Sequence, residues 1–341
     1  MTSIFTFYKL EMKQILFFIL HIGMFLITIL LYACSTDELQ IIHDKSTAVL
    51  CISSVATNLL ETTVGTNTRA STIILNKETD KIGVFLLADP ANGYPETILN
   101  RAYVYGSPMW KSEAELTLQD EAARMIAVYP YNESQNSMDV RLNSGVYNLA
   151  NEYYYQNFKA SFINTSVALS LKRAYSLLRF VIIKGEKEAS TGKGEYTGDG
   201  SVSELSFTAN IRAEGTLDLI NETVSGNTAN VTLRTDFGGT SVTAVKVSEL
   251  AGSLRPPYAD FLIVPCSPGG DITFFVTIDG KQKSAKLPIT ALLGTTGRID
   301  AGIKYEIQIV IRPTTLDVIK GLTTEEWTGE DTSVEGSYVI Q

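Results

Sequence analysis

Side chains that commonly carry chemistry are scarce in this sequence: 341 residues hold three cysteines, two histidines and two tryptophans. Both histidines, His21 and His43, precede Ala70. The long remainder therefore has no imidazole for acid–base work or for binding a metal. Cys266 ends the run Phe261-Leu-Ile-Val-Pro-Cys266; without a histidine beside it, it reads as a small hydrophobe rather than a nucleophile. Asp199, Asp271, Asp279 and Glu325 are scattered over separate turns. None shows the Asp-x-Asp-x-Asp-Gly spacing of a calcium loop. No nucleophile, base or metal set emerges, so neither an enzyme nor a resident cofactor is expected.

An excess of positive charge is also missing. The formal net charge is −9, which gives no electrostatic reason to bind nucleic acid or anionic lipid. In the polar stretch Lys184–Ser201, Lys184, Lys187 and Lys193 are diluted by Glu186, Glu188 and Glu195, as on a solvated loop. Helical periodicity of useful length is absent after Ala70. Two-turn possibilities exist only near Gln119–Arg124 and Lys172–Leu177. With 45% hydrophobic and 19% charged residues, the chain is nonetheless globular in composition, and its length suggests about two domains.

What is present begins with an uncharged apolar run, Ile15 to Ala33, preceded by Lys13. A bilayer-spanning helix needs about 20 apolar residues, so the run is long enough for an uncleaved anchor. Its ending fits a signal peptide instead, because the small Ala33 precedes Cys34. Met12-Lys13-Gln14 offers a more typical start for such a peptide than Met1. Ser46–Ala56 follows, with aliphatic and β-branched residues on both faces, and reads as a strand buried on both sides. Glu61 to Ser71 has Gly and Asn but no apolar stripe, and reads as a loop; it contains Thr68-Arg69-Ala70.

After Ala70 the chain reads as short strands between turn residues. In the first half these are Ile82–Ala88, Arg101–Tyr105, Glu115–Leu118, Met125–Tyr129, Ser166–Leu171 and Leu178–Ile183. In the second they are Leu205–Ile211, Thr216–Ile220, Ala229–Arg234, Val242–Val247, Phe261–Val264, Ile272–Ile278, Gln282–Leu287, Tyr305–Ile311 and Leu316–Ile319. Asp279-Gly280 between two of them is a strong hairpin signal. Many short strands at this spacing point to an all-β chain of two tandem β-sandwiches. The expected segments are a signal peptide over 1–33, a pro-segment over 34–69, one sandwich over 70–185 and a second, with a tail, over 186–341.

Several stretches resemble known families. Leu31-Tyr-Ala-Cys34 resembles the lipobox of bacterial lipoproteins, and Ser35-Thr-Asp-Glu38 the acidic tract that sends Bacteroides-group lipoproteins to the outer surface. Ile126-Ala-Val-Tyr-Pro-Tyr131 resembles a signature of Bacteroides-type fimbrillins. Ser170-Leu-Lys-Arg-Ala-Tyr-Ser-Leu-Leu-Arg-Phe180, Leu262-Ile-Val-Pro265, Ala301-Gly-Ile-Lys-Tyr305 and Glu326-Trp327 resemble further segments of that family, in the right order. Arg173 stands where the family has His, and Cys266 where it has Gln.

The resemblance implies two transthyretin-like sandwiches, lipidation at Cys34, and residence as a lipoprotein at the surface of the outer membrane. It further implies cleavage between Arg69 and Ala70 by an arginine-specific surface protease. The subunit then assembles into type V fimbriae by donor-strand exchange with other pilus subunits, supporting adhesion to a host or bacterial receptor. A plainer reading makes Arg69 part of a flexible tether, since exposed loops attract many proteases, and the chain an unprocessed surface lipoprotein that binds glycan or a host ligand. The Tyr153-Tyr154-Tyr155 run, Trp110 and Trp327 are the stacking residues such a binder would use; core or rim packing is the alternative for the two tryptophans, and a twisted strand or irregular segment with alternating burial is the alternative for the tyrosines. The C-terminal tail places Val334, Tyr338 and Ile340 on one face of an extended strand. It reads either as a donor strand or as an edge strand of the chain's own second sandwich.

Overall fold

The structure, a computed structural model, describes residues 47–57, 73–241, 258–293, 297–319 and 324–326. In chain order the first strands are β1 (Ala48–Val49), β2 (Cys51–Thr57), β3 (Ile73–Ile74), β4 (Lys81–Leu86), β5 (Ile98–Gly106) and β6 (Met109–Lys111). Then come β7 (Thr117–Leu118), β8 (Ala123–Tyr129), β9 (Asp139–Asn143), β10 (Gly145–Val146), β11 (Tyr154–Ala160) and β12 (Ser166–Arg173). β13 (Ser176–Lys184), β14 (Ser201–Arg212), β15 (Glu214–Asp218), β16 (Thr223–Ser225), β17 (Ala229–Ser241) and β18 (Tyr258–Ile278) follow. The described chain ends with β19 (Lys281–Pro288), the single helical turn α1 (Thr290–Leu293), β20 (Ile303–Ile311), β21 (Leu316–Ile319) and β22 (Thr324–Glu326).

The fold is nearly all-β, as expected. The first large sheet runs β12-β11-β8-β4-β5-β6-β2-β3, and β12 also pairs with β2, so the sheet curls back on itself. Successive residues on its central strands are buried in opposite directions. Val84, Leu86, Met125, Ala127 and Tyr154 enter one core with Ile52, Val55 and Trp110. Phe85, Leu87, Ile126, Val128 and Tyr155 enter another, against Leu142 and Leu217 of the small sheet β16-β15-β9 and Leu219 just after β15. Both faces being covered, these strands have no polar side and read as continuous apolar runs.

The second assembly is built around β18, 21 residues long. Its first part pairs with β13 and its last part with β14 and β19. Between them the register breaks, Arg212 standing opposite Val264 and Asn210 opposite Gly269. This is how a strand turns a sandwich corner and serves both sheets. Phe180, Phe207, Phe261 and Phe274 meet in the middle, with ring centroids 5.1–5.7 Å apart. Such spacing suits edge-to-face packing.

The Asp279-Gly280 hairpin forms as read. Ile278 pairs with Lys281, and both turn residues have positive φ, 47° and 71°, as the two-residue turn of matching twist requires. Three readings need correction. Neither helical possibility forms: Ala123 opens β8, and Arg173 and Ser176 belong to β12 and β13. An isolated two-turn helix is marginal in water, whereas these residues gain sheet partners. Leu178–Ile183, placed at the end of the first half, lies within β13, which pairs instead with β18 and β20 of the second assembly. The loop before Ser201 thus joins two strands of that assembly. Ser46–Ala56 is buried along one face only: Ile52 and Val55 are enclosed, and Ser53 is exposed. Val242–Val247 lies outside the described residues.

Candidate functional site

The last strand before the expected cut is also the one that closes the first sheet. β2 runs parallel to β12, with six residue pairs from Cys51↔Ser166 to Thr57↔Leu171. On its other side Ile52 lies opposite Trp110 of β6, and Ala56 and Thr57 pair with β3. Flanking backbone bonds extend the grip. The Leu50 amide donates to the Leu116 carbonyl and the Cys51 amide to that of Thr165, both at 2.9 Å, and the Leu75 amide donates to Val55 at 2.9 Å. Leu50, Ile52 and Val55 fill the core, each worth about 1.5–3 kcal/mol of burial.

Without β2, the sheet would lose its closure. The facing edge of β12 would lose its ladder partners, and Leu169 and Leu171 would lose part of their cover. Buried backbone groups without partners are costly, so the space β2 occupies is a groove that demands a strand.

At the far end of β12, Arg173 is buried against Glu152. Tyr154 donates its hydroxyl to the same carboxylate, and the guanidinium lies 5.1 Å from the Tyr154 ring centre. Burial pushes the Glu152 carboxyl above the ordinary range, and the Arg173 charge opposes that push. Through Glu152 and the Tyr154 ring, Arg173 therefore holds β12 to β11.

Residues weighed as ligand-binding are used in packing. Trp110 is buried and meets Tyr105 edge-on at 5.8 Å. Tyr154 and Tyr155 point into the two different cores of the first sheet, and the Tyr153 hydroxyl donates to Gln135 at 3.0 Å. Cys266 is enclosed in the second core, where burial pushes its thiol pKa up. Asp279 accepts from the Tyr196 hydroxyl at 2.7 Å and from the Gly200 and Ser201 amides at 3.0 and 2.8 Å, clamping its own turn. No group of three or more His, Cys, Asp or Glu side chains is poised for a metal among the described residues.

Cys34, Arg69, Ala70, Trp327, Val334, Tyr338 and Ile340 lie outside the described residues. In sequence, Arg69 falls between β2 and β3, so a cut there separates β2 covalently from everything it pairs with. The parallel partnership with β12 had no local signal, because its two strands are more than a hundred residues apart.

A sequence profile described as fimbrillin-like matches residues 67–327. The chain belongs to the fimbrillin-like family. No curated protein matches it. Among solved structures, it is similar to a candidate cell adhesion protein from Bacteroides ovatus ATCC 8483, at 13% identity and TM-score 0.57, covering 83% of this chain and 100% of that one. A second candidate cell adhesion protein, from Bacteroides uniformis ATCC 8492, is 15% identical with TM-score 0.52, covering 81% and 98%. At such identities the likeness extends to the fold. The family match begins just before Arg69, so β1 and β2 of this fimbrillin-like chain lie upstream of it.

Proposed function

We propose that this chain is a structural subunit of a surface pilus, exported as an outer-membrane lipoprotein and assembled by exchange of β2. Cys34 carries the lipid. An arginine-specific protease at the surface cuts between Arg69 and Ala70, β2 departs, and a strand from a neighbouring subunit takes its place. Strand addition of this kind gains main-chain hydrogen bonds along the edge and side-chain specificity from the pockets. The observation that carries the reading is β2 itself. It is the strand that closes the sheet, it is held by hydrogen bonds and three core side chains, and it lies on the far side of Arg69. A native strand kept in the groove until export would prevent premature assembly.

The tail with Val334, Tyr338 and Ile340 is our candidate donor. N-terminal sequencing of assembled material tests the processing step: a start at Ala70 is expected, and a start at Cys34 in fibres overturns it. Cys34→Ser should abolish palmitate labelling and strand the precursor before the outer surface. Truncation after Trp327 should leave a subunit that folds and is cut but gives no ladder on mild SDS gels. A chain that never forms ladders, and binds glycan as a single lipidated species, is the monomeric binder instead.

A further inference from the structure

β2 does not match the regularity of the strand it lies on. Along β12, Val167, Leu169 and Leu171 face the core at every second position. Their partners on β2 are Ile52, Val55 and Thr57. The first step on β2 is therefore three residues where β12 takes two. The surplus residue is Ser53: Ile52 stands opposite Val167 and Ser54 opposite Ala168, with no β12 residue left opposite Ser53. Its hydroxyl donates to the Val167 carbonyl at 3.0 Å, where a regular strand would continue the ladder. A bulge of this kind disrupts pairing locally and bends the strand that carries it. Without Ser53, the core-facing residues Leu50, Ile52, Val55 and Thr57 would alternate strictly.

The groove wall is thus regular and its occupant is not. We propose that Ser53 makes β2 the replaceable occupant, and that the groove is matched to an extended strand of a second pilus subunit whose core-facing side chains recur at every second residue without interruption. Such a strand keeps its side chains in phase with an unbroken ladder along the whole of β12, whereas β2 stays in phase only by leaving Ser53 out of the ladder. In the stretch Val334 to Ile340, Val334, Tyr338 and Ile340 share one parity with no residue out of step, although Gly336 leaves one of the four positions without a side chain. The inference rests on the strand-exchange reading above.

The test deletes Ser53 from the full chain. In the uncut protein, amide exchange at Leu169 and Leu171 should slow by at least about fivefold, the ratio that 1 kcal/mol sets, and the urea midpoint should rise. After cutting, assembly should slow by a similar factor, because the old strand now fits. A lower midpoint, an unfolded variant or unchanged exchange means that the bulge is needed to curve the sheet, and overturns the inference. A stabilised variant that assembles at the wild-type rate overturns strand exchange itself, and with it the role given to Ser53. A second measurement leaves the chain intact in sequence: labelled synthetic peptides of residues 50–57, with and without Ser53, are offered to the wild-type chain after arginine-specific cutting. The shorter peptide should be taken up severalfold faster and retained longer. Equal uptake, or preference for the native peptide, overturns the inference.

Discussion

Nη1 of Arg173 lies 2.8 Å from both carboxylate oxygens of Glu152, and both side chains are almost wholly shielded from water. Removing one partner leaves an uncompensated buried charge. Arg173→Ala or Glu152→Ala should therefore lower the unfolding free energy by about 3–5 kcal/mol. The double replacement Arg173→Met with Glu152→Leu should recover most of the loss. Urea unfolding of the two single variants and the double variant checks this.

Ile52 is enclosed on β2, whereas Ile74 on neighbouring β3 is 57% exposed. Ile52→Ala should cost about 2–5 kcal/mol of global or local stability. Ile74→Ala should stay within about 0.5 kcal/mol. Amide exchange along β12 distinguishes local release of β2 from global unfolding: faster exchange confined to Ser166–Leu171 is expected in the Ile52 variant.

Hydrogen bonds, that from Tyr196 foremost, hold the Asp279 carboxyl below the ordinary aspartate range. A pKa lower in the folded than in the unfolded chain means that unfolding takes up a proton. The stabilisation is present above the unfolded value and is lost as pH falls through the folded one. Acid should accordingly weaken the β18–β19 turn below about pH 4. Asp279→Asn should lower the melting temperature at neutral pH and flatten its fall in acid.

Burial both encloses the Cys266 thiol and raises its pKa, and the thiolate is the reactive form. In a Cys34→Ser, Cys51→Ser chain, a thiol reagent should leave the native protein unlabelled and add one label in denaturant. Labelling of the native form at a rate near that of free cysteine would show that the second core admits solvent there.

Local pattern carried much of this protein into view. The Asp279-Gly280 turn declared the β18–β19 hairpin, because few residues accept positive φ twice in succession. The alternation in Tyr305–Ile311 declared β20, and the ordered motifs from Ile126 to Trp327 declared the family. Other features had no local trace. Ser176–Lys184 is apolar on both faces, which states burial but not which sheet supplies its neighbours. Tyr154-Tyr-Gln-Asn-Phe158 shows no clean alternation and offers only a twisted strand or an irregular segment; its seven pairs with β8 make it β11.

The sequence by itself determined that this is a β protein belonging with the fimbrillins and bearing an arginine after a strand near its start. Those are properties of residue type and short-range spacing. Only the tertiary structure decided what that strand does: it closes a sheet against β12 and carries one residue more than its partner. The Ser53–Val167 contact spans 114 residues, and pairing at such separation depends on the whole fold bringing two edges together, which no local period records.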